Sequence, residues 1–130
     1  MSNDEHTIKV SLDTSAHPPV SVHPSDVDLK NKGTHKVVWN PADGTAEFTF
    51  YSLRIDGTTY PNPTAGGSPG KNSPLSDINV SDKKITLKDK VDGRIDFPYE
   101  LVVLSGGKTY SSGEVRPSAD GGTPRIRNQP

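Results

Sequence analysis

Apolar and polar residues alternate along short runs of this chain, and Gly, Asp or Pro breaks the alternation at intervals of about ten residues. Residues 6–13 carry Ile8, Val10 and Leu12 on one side, and residues 47–56 alternate from Phe48 and Phe50 to Leu53 and Ile55. Residues 84–88 offer Ile85 and Leu87, and residues 98–105 end in the apolar run 101–104. Successive strand side chains point to opposite faces, so a period of two gives one buried and one wet face. The pattern predicts an all-β protein, an antiparallel β-sandwich. Strands are expected at 6–13, 19–23, 26–30, 34–40, 45–55, 84–88, 94–104 and 107–116. No apolar stripe of helical period and useful length occurs, so little helix is expected.

The breaks have turn chemistry. Asp43-Gly44, Asp56-Gly57, Asp92-Gly93, Asp120-Gly121 and Gly106-Gly107 supply residues that tolerate positive φ, the short-range signal of hairpins. Pro18-Pro19 and Pro24 flank Val20 and Val22. Proline cannot donate to a ladder, so that run belongs at a sheet edge or on a crossing between sheets. Residues 60–74 (YPNPTAGGSPGKNSP) are rich in proline and glycine and read as a long loop, used for binding or simply without order. Residues 117–130 are polar apart from Ile126, and composition alone predicts that residues 118–130 fray. At 130 residues the chain reads as one sandwich domain with residues 1–5 and 117–130 as extensions.

Composition narrows the functions. A net charge of −1 from 15 basic and 16 acidic side chains leaves no electrostatic footprint for nucleic acid or an anionic membrane. The chain has no cysteine, which excludes disulfides, a thiolate nucleophile and Cys-ligated zinc or iron–sulfur centres. Residues 1–6 are polar and lack the apolar stretch of a secretory signal, and no run is long enough to span a membrane. A cytoplasmic protein is expected.

Two stretches carry a family resemblance. Residues 22–39 (VHPSDVDLKNKGTHKVVW) run from a proline through a strand and a Gly turn to a strand ending on Trp39, and resemble the early part of immunoglobulin-like and cupredoxin-like domains. Residues 97–103 (FPYELVV), Gly106-Gly107, Tyr110-Ser111 and the ending 123–130 (TPRIRNQP) resemble the DP-EP family of small bacterial β-sandwich proteins, similar in outline to inclusion-body proteins of the PixA/AidA type. The family ending runs Asp-Pro, an apolar residue, Asn, an acidic residue and Pro. Pro124, Ile126, Asn128 and Pro130 match it in spacing, with Thr123 and Gln129 in place of the two acids. The resemblance implies that these four residues form a docked element, with Ile126 buried and Asn128 bonded to main chain.

Candidate chemistry is sparse. A blue-copper centre needs a Cys thiolate, two His and often an axial Met, and the only Met here is Met1. His6, His17, His23 and His35 all lie early in the chain. His23 and His35 bracket an expected hairpin with Asp26 or Asp28 nearby, a set suited to a divalent transition metal, but the simpler reading is four unrelated surface histidines. No metal site is assigned and no cofactor is expected. No Gly-x-Ser-x-Gly elbow occurs, and residues 66–73 (GGSPGKNS) lack the spacing and the Ser/Thr of a phosphate loop. Asp77, Asp82, Asp89, Asp92 and Asp96 fall among Lys83, Lys84, Lys88, Lys90 and Arg94, which reads as solvated ion pairs rather than a calcium site.

The aromatic residues divide in two. Trp39, Phe48 and Phe50 sit at alternating positions and belong to the core, whereas Tyr51 takes the opposite face from Phe50. Two functional readings follow. The first is a non-catalytic interaction module, acting by self-association or by binding a protein partner through loops or a sheet edge. The alternative is a small-ligand module for carbohydrate, using exposed Tyr51 and Tyr60 with the 60–74 loop.

Overall fold

A computed structural model describes residues 4–61, 73–113 and 124–130. The described chain forms eleven strands: β1 (Asp4–Leu12), β2 (Val20–His23), β3 (Asp26–Leu29), β4 (Gly33–Pro41), β5 (Thr49–Ile55), β6 (Thr58–Tyr60), β7 (Leu75–Val80), β8 (Ile85–Val91), β9 (Ile95–Ser105), β10 (Lys108–Ser111) and β11 (Arg125–Asn128). One sheet has the order β2-β1-β4-β8-β7, and the other has the order β3-β11-β9-β5-β6 with β10 also paired to β9. The two sheets pack as a β-sandwich.

The sheets are mixed rather than antiparallel throughout. β1 pairs parallel to β4, and β3 pairs parallel to β11. Alternation reports which face of a strand is buried but carries no direction, so the expected all-antiparallel pairing could not separate these two cases. β1 and β4 become neighbours because the chain leaves β2 through His23-Pro24, enters the opposite sheet as β3, and returns as β4.

β10 and β11 occupy a single edge of β9. Ser112 N donates to Leu101 O, and Tyr99 N donates to Pro124 O, so Ser112 and Pro124 bond this edge two β9 residues apart. Beyond that point β11 is central, with β3 on its other side. The frayed tail that composition predicts is therefore incorrect for residues 124–130. Ile126 is fully buried, and backbone bonds run from Arg125 N to Ser25 O and from Gln129 N to Leu29 O. Two ladders satisfy the backbone of a polar segment that one apolar side chain alone would not order. On its outer face, Arg125 lies between Asp26 and Asp96, and Arg127 pairs with Asp28.

The inward phase of each strand supplies the core, including Ile8, Val37, Trp39, Leu53, Ile85, Leu101 and Ile126. Trp39, Phe48 and Phe50 are buried as expected. Hairpins close on the residues that positive φ demands: Asp56 (φ 52°) and Gly57 (φ 78°) between β5 and β6, and Gly106 (φ 58°) and Gly107 (φ 79°) between β9 and β10. Positive φ at both central positions gives the turn whose twist matches the flanking strands.

Candidate functional site

Strand direction gathers three connections at one end of the sandwich: residues 42–48 after β4, residues 81–84 between β7 and β8, and the Gly106-Gly107 turn. They enclose an open cleft of about 600 Å³. Pro41, Ala46, Phe48 and Leu104 give it apolar surface, Glu47 and Lys83 bring opposite charges, and Gly106-Gly107 leave main chain accessible.

The walls of the cleft are pinned. Leu12 N donates to Thr45 Oγ1 at 2.7 Å, and Ala42 N donates to Val10 O at 2.8 Å. Ser105 Oγ donates to Glu47 O at 2.8 Å, tying the first connection to the third. Phe50 N donates to Asp82 O at 3.0 Å, tying the second to β5. Ser81 Oγ donates to Lys84 O at 2.8 Å within the middle turn. Loops held this way lose little entropy when they take a ligand.

The two tyrosines of the carbohydrate reading do not share a face. Tyr51 is the extra residue where the β5–β9 register shifts, and it is 54% exposed. Tyr60 is fully buried on β6, opposite Leu53, and burial raises its hydroxyl pKa above the usual tyrosine value. Most of the 60–74 loop invoked with them lies outside the described residues. Of the four residues of the closing motif, Pro124, Ile126 and Asn128 are buried and Pro130 is exposed. Asn128 does not bond main chain through its side chain, as the resemblance implied: Nδ2 donates to Asp89 Oδ1 at 2.9 Å.

The opposite end of the core holds a polar group that the sequence did not single out. His35 and Asp89 face each other in register on β4 and β8, and both are buried. His23 is exposed on β2 and is not the partner of His35. His6 on β1 is, with His6 Nε2 and His35 Nδ1 3.1 Å apart. His35 Nε2 lies 2.7 Å from Asn31 O and must donate to that carbonyl. In a neutral ring, Nδ1 then accepts from His6 Nε2–H. The reading of four unrelated surface histidines is thus incorrect for this pair.

Asp89 is likewise not a solvated ion pair. It is fully buried, and burial raises its pKa above the ordinary aspartate value, against the lowering effects of Asn128 and His35. Asp77, by contrast, meets Lys88 at the surface. A signal for Asp89 was present in the sequence, because it occupies the inward phase set by Ile85, Leu87 and Val91. Among the described residues no group of three or more His, Cys, Asp or Glu is arranged to hold a metal ion. Nor is any helix among them long and apolar enough to cross a membrane. A comparison with protein-family models finds no match, and a search of curated proteins likewise finds none.

Proposed function

We propose that this chain is a non-catalytic interaction module that binds a macromolecular partner, a second copy of itself included, through the loop end of its sandwich. The observation that carries this reading is the pinned, open cleft of about 600 Å³ between residues 42–48, residues 81–84 and Gly106-Gly107. Loops on a rigid β scaffold are a common place for recognition, and mixed apolar and charged lining suits a protein surface. The finer assignment, an immunoglobulin-like or cupredoxin-like sandwich of the DP-EP type, is part of the same proposal. It draws support from the docked Pro124, Ile126 and Asn128 of the closing motif.

The test is a photoreactive amino acid at position 46, on the cleft, compared with position 92, exposed at the other end. In living cells position 46 is expected to crosslink to a discrete protein band and position 92 to none. Equal labelling from both positions would remove the cleft from the reading. Of the two tyrosines of the carbohydrate alternative only Tyr51 is exposed, and a glycan array probed with the chain and with Tyr51→Ala tests it. Binding lost in the variant supports that alternative.

A further inference from the structure

We propose that Asp89 is protonated in the native protein and that its O–H closes a two-bond carboxylic acid–carboxamide pair with Asn128, so that one proton holds the last strand against the opposite sheet. Only one of the two bonds is made by heavy atoms that already carry hydrogens: Asn128 Nδ2 donating to Asp89 Oδ1. The remaining oxygens, Asp89 Oδ2 and Asn128 Oδ1, are both buried and have no hydrogen-bond partner among the described residues. With Asp89 ionised, each is a buried acceptor with no donor among the described residues, a costly arrangement for two atoms of one contact. A single proton on Oδ2, donated to Asn128 Oδ1, satisfies both.

A proton on His35, the coulombic partner of Asp89 among the described residues, is the alternative, and it fits less well. Protonating His35 would supply a countercharge, but it would leave both orphan oxygens unpaired. It would also set a cationic His35 against His6, whose ring lies 5.2 Å away. The strand registers set the neighbours of the pair among the described residues. His35 faces Asp89 from β4, with His6 of β1 behind it, and Asp4 stands in register with His35 on the same strand as His6. From β7 the register partner of Asp89 is Leu75, and beside Asn128 on β3 it is Leu29, both apolar and fully buried.

The consequence is a pH-sensitive lock. Burial raises the carboxyl of Asp89 above its unfolded value, so in the window between the two values the native state holds a proton that the unfolded chain has released. Stability is greatest below the window and falls as pH rises through it. The loss falls on the contact between β8 and β11, because Asn128 Oδ1 is then an unpaired acceptor beside an ionised carboxylate.

Asp89→Asn supplies the test, since an amide pair can reproduce both hydrogen bonds with no titratable proton. The full chain and the variant are unfolded in urea across a pH series. Relative to the variant, the wild type is expected to lose up to tenfold in its folded-to-unfolded ratio per pH unit within the window. A difference that does not change with pH, or a variant less stable than the wild type throughout, overturns the proposal. The carboxyl carbon-13 resonance of Asp89 in the unmutated protein decides the matter even if the variant fails to fold. It should titrate above the ordinary aspartate pKa of about 3.9, and a carboxyl that titrates at or below that value overturns the lock.

Discussion

Trp39 of β4 and Tyr99 of β9 join the two sheets at the centre of the core. The indole Nε1 donates to the tyrosine hydroxyl at 3.2 Å, and the rings meet edge-on with centroids 5.3 Å apart. Both side chains are fully buried, and burial pushes the Tyr99 hydroxyl well above the usual tyrosine pKa. Each residue therefore supplies apolar area and also satisfies the other's polar atom. Trp39→Ala is expected to cost ~3–5 kcal/mol, a large share of the ~5–15 kcal/mol typical of a domain. Tyr99→Phe keeps the packing but orphans the indole N–H, at a cost of ~1–3 kcal/mol. Urea unfolding of the two variants checks this ordering.

Removing the last strand should cost more than its composition indicates. Burial of Ile126 contributes ~1.5–3 kcal/mol. Without β11, the facing backbones of β3 and β9 also lose their ladder partners. Deleting the last eight residues is thus expected to lower the melting temperature by at least several degrees, read by circular dichroism. Ile126→Ala in the full-length chain should reproduce ~2–5 kcal/mol of the loss. A truncated chain that melts like the intact one would mean that β11 contributes nothing to stability.

Exposed Tyr51 and buried Tyr60 should behave oppositely. Tyr51→Ala removes a mostly exposed ring and is expected to change stability by no more than ~0.5 kcal/mol. Tyr60→Ala opens a cavity in the core, at a cost of ~3–5 kcal/mol by analogy with other buried aromatics. Thermal melts of the two variants separate these cases.

These contrasts show what the sequence pattern could carry. β4, β8 and β9 were legible because their inward residues keep a period of two, and β5 because the period resumes at Leu53 and Ile55 after the extra residue Tyr51. β7 was not, since Leu75, Ile78 and Val80 fall out of phase where the register shifts and Asp77 adopts a φ of 51°. β6 has three residues and β11 a single apolar one, too little for any periodicity. Extension of β8 to Val91 was hidden by Asp89, whose carboxyl sits where a hydrophobe is expected. The contact of His6 with His35 depends on β1 lying parallel to β4, a direction that alternation does not encode. The cleft was illegible for a similar reason, because its three connections meet only after the topology is set.

The central functional claim is that the cleft end of the sandwich engages a macromolecule, and the mass of the native complex tests it most directly. The chain and its Ala46→Arg variant, which places a long charged side chain on the cleft, are isolated gently from cells and measured by light scattering. The intact chain is predicted to travel in a species heavier than its own 14.0 kDa, and the variant at monomer mass with an unchanged melting curve. An intact chain at monomer mass, or a variant that keeps the heavier species, would contradict the claim.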